Sequence, residues 1–522
     1  MLSLQSGFRF FLIGIVSSCL NAATAADQSC IELKRIDIDE NRILSPLHKL
    51  QIQQPFLGSC IEPALIRKLL ATLSDFYINQ GYITTRPYLE EQDINDGHIE
   101  IQVLPGRIEA LVDSESGTRT LEISSAFAFQ GDLLNLEDLE AALETMQRLA
   151  SVSATFEIRP GQQQGYSVVV IKRKQTNPLR ISWGVNAQTD LDERLSLQAS
   201  LDNPFRLNDR LELYLNSGEV RESLQSDKST SLNYSFAIAS SLLSLTVTEV
   251  SFDQRLQGIG ESFLSTGETQ SRRLQISSPL LRSRQYRLEW LFAIELKDTE
   301  NFFEDQLIDV SSYRTSQAQF AMQQTWFFRQ GQFYSSFQLH RGLDSYGARD
   351  DEYFSGSGAE ESPTLQFEKI VSDSRLTYYL ADSGWQHISQ LFFQYSEDLL
   401  FSNDRVNLGS PFTVRGYASA LNGSNAWYWR NDLSHDFADT SRAQDNQHKA
   451  KRLTLSVGAD FGRVRCQADN RDSCGDIYGL GASVNVSDRN FNARLAWGHP
   501  LKKINDDIGD KDQYYLDMMW HF

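Results

Sequence analysis

Leu408-Gly409-Ser410-Pro411-Phe412-Thr413-Val414-Arg415-Gly416-Tyr417 is the stretch on which the fold turns. Its glycine, serine and proline mark a loop, because these residues supply turn geometry and interrupt periodic structure. The loop carries the tetrad Val414-Arg415-Gly416-Tyr417 and spans about residues 408–426. Four residues are too few to carry an assignment. Their meaning comes from the setting, late in a chain of alternating segments that ends on an aromatic residue, Phe522.

The segments around the loop have a period of two. Leu179, Ile181, Trp183 and Val185 alternate with Arg180, Ser182, Gly184 and Asn186. At the other end Tyr514, Leu516, Met518, Trp520 and Phe522 alternate with Tyr515, Asp517, Met519 and His521. This is the pattern of strands with one apolar face, and a soluble sandwich would also show it. Three features favour a membrane barrel: the apolar face is rich in aromatic residues, no helical pattern interrupts residues 178–522, and the last segment ends in an aromatic residue. At ~20 residues per strand and connection, that span predicts about 16 antiparallel strands, an even number as closure requires. Closure also removes the unpaired edges of so large a sheet. Ser487-Asp488-Arg489-Asn490 reads as a tight turn on the periplasmic side, whereas residues 355–362 and 500–511 read as outer loops. The connection at 436–451 is long for the periplasmic side, where strand counting places it.

Composition agrees with this reading. Apolar residues make up 41% of the chain, and no apolar run of ~18 residues follows the N-terminal region, which excludes a helical membrane protein. A barrel stays polar on average because its lipid-facing residues alternate with polar ones. The net charge of −19 leaves no basic surface for phosphates, so nucleic acid is not an expected partner.

Residues 1–25 read as a secretory signal, with Arg9 as the positive flank, an apolar stretch at 10–16 and Ala23-Thr24-Ala25 as the cleavage site. Cys19 leaves with it. Cys30, Cys60, Cys466 and Cys474 stay, an even number in an exported chain, and the shortest loops pair Cys30 with Cys60 and Cys466 with Cys474. Residues 26–177 differ from the rest and read as two small α/β units, 26–105 and 106–177. In the first, residues 31–38 are strand-like, and residues 63–77 form an amphipathic helix with Leu65, Leu69, Leu73 and Phe76 on one face. Residues 81–85 and 98–103 then alternate as strands. In the second, Asn135 caps a helix over 136–149 with Leu136, Leu139, Leu143 and Met146 as its buried stripe, Pro160-Gly161 turns, and residues 166–171 form a closing strand. The common order suggests a structural repeat.

The motifs, in order and spacing, resemble the two-partner secretion transporters, the TpsB family of haemolysin and adhesin secretion-activation proteins within the BamA-like superfamily. Gln80-Gly81-Tyr82-Ile83-Thr84-Thr85, Gln92-Asp93-Ile94 with Gly97, and Pro105-Gly106-Arg107-Ile108 are similar to the end of the family's first POTRA domain. Leu134-Asn135-Leu136-Glu137-Asp138-Leu139-Glu140, Arg148-Leu149, Pro160-Gly161 and Gly165-Tyr166-Ser167 are similar to the second. The Val-Arg-Gly-Tyr tetrad, Tyr428-Trp429-Arg430-Asn431-Asp432-Leu433 and Gly458-Ala459-Asp460-Phe461-Gly462 resemble the lumen loop and the strands that follow it. Two departures stand out: Gly409-Ser410 replaces the Gly-Gly that commonly precedes the tetrad, and residues 26–29 leave no room for the plug helix that some members carry ahead of the first POTRA domain.

The resemblance implies a membrane β-barrel of about 16 strands in the bacterial outer membrane, with two POTRA domains in the periplasm. It implies a pore that recognises an unfolded, large secreted TpsA-type partner and carries it to the cell surface. Outer-membrane lipid and, during biogenesis, the barrel assembly machinery are the other implied partners, with Phe522 read by that machinery as a C-terminal signal. It also implies that Arg415 pairs with Asp460 and pins the loop. A guanidinium can fork onto a carboxylate, and Asp460 would face the lumen between Gly458 and Gly462, which leave room for the loop. No phosphate-binding loop, nucleophile elbow or zinc motif is present, so neither enzyme activity nor a cofactor or metal is expected, and the energy for transport would come from client folding outside. A BamA-like assembly factor is the alternative on the same scaffold, and an outer-membrane hydrolase is a third reading.

Overall fold

The computed structural model describes residues 30–39, 43–127, 130–189, 191–218, 225–257, 261–349, 363–380, 383–418, 420–438, 452–467, 473–504 and 511–522. The signal segment, residues 355–362 and most of the 436–451 connection lie outside them. The chain divides into two compact units between Gly106 and Arg107.

In the first unit β1 (Arg35–Asp39) is followed by α1 (Pro46–Gln53), α2 (Pro63–Asn79), β2 (Arg86–Tyr88) and β3 (His98–Leu104). β3 lies between β1, to which it is parallel, and β2, to which it is antiparallel. Leu69, Leu73 and Tyr77 of α2 are buried against Ile36, Ile38, Ile99 and Ile101. The expected strand at 81–85 is instead a turn, and the strand begins at Arg86. The reason is a helix cap. Gly81 takes φ +85°, its N–H donates to Ile78 (3.0 Å), and the Tyr82 N–H donates to Tyr77 (2.8 Å), which satisfies the last carbonyls of α2. Cys30 and Cys60 are disulfide-bonded.

The second unit opens with the same order: β4 (Arg107–Asp113), α3 (Leu121–Ala126), α4 (Leu136–Gln147), β5 (Val152–Pro160) and β6 (Tyr166–Gln175), with β6 central and parallel to β4. Asn135 accepts the Glu137 N–H at 2.8 Å and so caps α4. Leu139, Ala142 and Met146 are the fully buried residues of that helix; Leu136 and Leu143 are half-buried.

The remainder is a closed antiparallel barrel of sixteen strands, from Leu179–Gln188 to Gln513–His521, with the two-residue strand Gln306–Leu307 as an extra hook. Alternation along each strand builds two different faces. Phe320 and Leu339, paired across two strands, are exposed on the outside, whereas Gln319, Lys369 and Ser396 are buried on the inside. A continuous exposed apolar face including Leu245, Phe292, Phe337, Trp429 and Leu455 is stable against lipid, not water. The barrel closes where residues 182–188 pair with 515–521, and Phe522 and Ile181 exchange N–H···O bonds of 2.8 and 3.4 Å. Trp183 and Trp520 stack across this seam with ring centroids 4.2 Å apart. The turn at 488–490 is tight, with the Asp488 N–H on the Phe491 carbonyl at 2.8 Å. The strand ends Ala438 and Arg452 pair with each other, and Arg452 pairs with Ser487, at the same barrel end as that turn.

Candidate functional site in the barrel lumen

Residues 397–425 join the strands Trp385–Ser396 and Ala426–Ala438. Instead of projecting outward, the connection folds back into the barrel. Its stem is a short antiparallel pair, Val406–Leu408 with Leu421–Gly423. At the tip, Val414, Arg415 and Tyr417 are 0%, 2% and 1% exposed. Val414 and Tyr417 join Leu408, Leu421, Tyr428, Val464 and Ile477 in an apolar cluster between loop and wall. The Tyr417 hydroxyl lies 2.9 Å from the carbonyls of Tyr478 and Lys502.

Arg415 is the centre of this contact. Its Nε and Nη2 fork onto the two oxygens of Asp460, each at 2.6 Å, and its backbone N–H donates to Asp460 Oδ2 at 3.0 Å. Its Nη1 donates to Asp432 at 2.5 Å. Asp432 is shared with Arg430, whose Nε donates to it at 3.0 Å. The Asp460 side chain is fully buried. The loop lies against the wall here and excludes water from the pair. The pair is thus both stronger and less forgiving than an exposed one.

Glycines make the close approach possible. Gly458, Gly481 and Gly498 face one another on three successive strands, and Gly479 lies beside Asp460. A Cβ on Gly481 would stand 2.6 Å from Arg415 Cδ, and one on Gly498 would stand 2.5 Å from the Gly416 nitrogen. A Cβ on Gly479 would overlap the Arg415 carbonyl, and one on Gly458 would overlap Arg415 Nη2. Gly462 gives room to Val414. Gly416 itself has φ +91° and rests against the backbone at His499 and Pro500.

The structure therefore brings together Val414, Arg415, Gly416, Tyr417, Gly458 and Asp460. Asp432 was missed as a second carboxylate, although it stood in a quoted motif; its period-two spacing from Arg430 was the available signal. Gly479, Gly481 and Gly498 were missed too; only the small-residue run Gly479-Leu480-Gly481-Ala482 hinted at them. Cys466 and Cys474 are bonded in the connection at the barrel end opposite the tight turns. Phe522 lies apart from the lumen, at the seam.

A second polar cluster was not foreseen. Asp202, fully buried at the end of its strand, accepts from Arg180 Nη1 (2.8 Å), Arg210 Nε (3.0 Å) and the Ser151 backbone N–H (2.9 Å). Arg148, just after α4, donates to Ser235 Oγ (2.9 Å) and to the Asn208 carbonyl (2.7 Å). Asn208 in turn donates to the Glu122 carbonyl at 2.7 Å, and Arg282 and Arg287 both pair with Glu144. These bonds fasten the second α/β domain to the barrel turns at one end.

A closed sixteen-stranded barrel with an apolar outer face, two small α/β domains ahead of it and a loop pinned inside defines the class: a transmembrane β-barrel protein. Within that class, the haemolysin secretion/activation protein ShlB/FhaC/HecB family matches residues 165–486, more than half of the chain, and the chain belongs to it. The ShlB-type POTRA domain matches residues 31–106, and a further POTRA domain matches residues 107–160. The outer membrane transporter CdiB of Dickeya dadantii (strain 3937) is 26% identical over 500 residues, covering 94% of this chain and 86% of the relative. The hemolysin transporter protein ShlB of Serratia marcescens is 26% identical over 460 residues, covering 86% and 79%. The solved structure of CdiB from Escherichia coli shares the fold with a TM-score of 0.84 at 21% identity, covering 97% of this chain and 93% of that one. The chain is thus a bacterial outer-membrane protein with its POTRA domains in the periplasm.

Proposed function

We propose that this chain is the translocation pore for a large, unfolded TpsA-type secreted partner, which its POTRA domains recognise and its barrel passes to the cell surface without nucleotide hydrolysis. The observation that carries this reading is the lumen loop, held against the inner wall by the buried Arg415–Asp460 pair and by Asp432, which Arg415 shares with Arg430. A sixteen-stranded barrel is too wide for its wall side chains to fill. A long loop docked through Arg415 can occupy that space and change position while the hydrogen-bonded wall stays intact.

Recognition is assigned to the POTRA sheet edges. β1 and β2 flank the first sheet, and β4 and β5 the second. An unfolded client can add a strand to such an edge, gaining main-chain bonds with little demand on its sequence. The periplasm supplies no nucleotide, so folding of the client outside is assigned as the driving force. Phe522 is assigned as the signal read by the assembly machinery. The continuous ladder at the seam, clasped by Trp183 and Trp520, favours transport through the lumen over an assembly factor that opens its wall.

Co-expression with the large secreted partner tests the reading. Partner protein should appear in the medium only when this chain is present. Unchanged export in its absence would refute it, and rescue of barrel insertion in an assembly-deficient strain would favour the other function.

A further inference from the structure

We propose that Phe412 is the contact on the lumen loop that meets apolar side chains of an extended polypeptide arriving from the periplasmic end; the inference rests on the transport reading above. Phe412 is 71% exposed, whereas its loop neighbours Leu408, Val414, Tyr417 and Leu421 are at most 2% exposed. The loop thus has an apolar cluster available and leaves this one ring outside it. The exposure is built in locally. Ser410 Oγ accepts the N–H groups of Phe412 (3.2 Å) and Thr413 (3.1 Å), and Thr413 Oγ1 accepts the Gly409 N–H (3.1 Å), so a compact turn holds the ring out.

The ring faces a lumen cavity of about 710 Å³. Gln386, Ser434, Thr454 and Asn492 line it, and each lies near the end of its strand on the side of the second POTRA domain. A chain entering from the periplasm reaches this cavity before it reaches the Arg415–Asp460 pair, which we call the latch. Amides and hydroxyls bond to water as well as to peptide, so this part of the wall holds a passing chain only weakly; Arg375, Arg494 and Asp517 add charge to the lining, and Ile388, Met518 and Met519 are other apolar side chains in it. An aromatic ring adds a contact that tolerates many sequences, because any apolar side chain can cover it. The ring also sits next to the latch: the adjacent Pro411 carbonyl accepts from Arg430, which shares Asp432 with Arg415.

The test uses the full-length protein in planar bilayers. Two synthetic unstructured peptides are added on the POTRA side, one of glycine, serine and asparagine, the other with leucine interspersed. The leucine peptide should block current roughly tenfold longer than the polar one, from burial of an apolar side chain against the ring. Phe412→Ser should abolish the difference and Phe412→Leu should retain it. Equal residence of the two peptides in the unaltered protein, absence of any blockade, or a difference that survives Phe412→Ser would overturn the inference. Partner export by cells carrying the unaltered chain is measured in parallel. Its presence alongside a failed peptide result would discard the role of Phe412 and leave the transport reading standing; its absence would discard both.

Discussion

Arg415→Ala removes a cation from two carboxylates at once. Asp460, with a fully buried side chain, would keep only the backbone N–H of residue 415, and Asp432 would keep Arg430. Removing one partner of a buried pair typically costs ~3–5 kcal/mol, because a charge is left desolvated and unpaired. With each 1.4 kcal/mol worth a factor of ten, the docked loop should lose roughly 10²- to 4 × 10³-fold in its docking constant. The wall should not notice, since its strands are held by their own ladder. Ala420→Cys, at a site 4% exposed beside Gly409, reports undocking through the rate of labelling by a soluble maleimide. Labelling should accelerate by about the same factor in the Arg415→Ala background. Partner secretion, normalised to heat-modifiable barrel in the outer membrane, should fall strongly. Arg415→Lys should not rescue it, because one ammonium cannot fork onto Asp460 and also reach Asp432. Arg415→Ala with Asp460→Ala should be little worse than either single change. Unchanged labelling and secretion in Arg415→Ala, or additive losses in the double variant, would refute the latch.

Gly481→Val should mimic Arg415→Ala without touching a charge, because its side chain would occupy the space of Arg415 Cδ and Nε; normal secretion from a folded Gly481→Val barrel would contradict the role of the glycine floor. Asp202→Ala removes the carboxylate that Arg180, Arg210 and the Ser151 N–H share and should loosen the second POTRA domain, seen as faster hydrogen exchange at Ser151 and Thr176 with the barrel core unchanged. By chain entropy, Cys30→Ser should destabilise the N-terminal unit by about 3–4 kcal/mol, whereas Cys466→Ser should cost about 2–3 kcal/mol because it opens a shorter loop, as read by denaturant midpoints. Deleting Phe522 removes the terminal pair with Ile181 and should deplete barrel from the outer membrane; normal heat-modifiable barrel would contradict this.

The barrel was legible in the sequence because its signal is local. A period of two, a missing helical period and a chain span near sixteen strand lengths are all properties of neighbouring residues, and closure follows from the need to pair every edge. The α2 and α4 helices were legible for the same reason, through apolar spacing and caps. The misread segment, 81–85, failed locally too: alternating residues looked like a strand, while Gly81 was serving as the cap of α2. Arg415 and Asp460 could be paired before the fold was seen only through resemblance, since 45 residues separate them.

Sequence alone therefore determined the barrel class, the α2 and α4 helices and the alternation of faces along the strands at 179–186 and 514–522, which are set by dihedral preference and by burial of one side of a short segment. Only the tertiary structure decided which inward residues meet. Gly458, Gly481 and Gly498 form one floor because the registers of three strands bring them level. Asp432 reaches Arg415, Asp202 gathers Arg180, Arg210 and the Ser151 N–H, and Phe412 is left facing the lumen, for reasons that lie in how the loop and the second POTRA domain dock. Register and docking are sums over many distant contacts. A shift of one residue in any strand would exchange its inward and outward faces, so no short stretch of sequence encodes them.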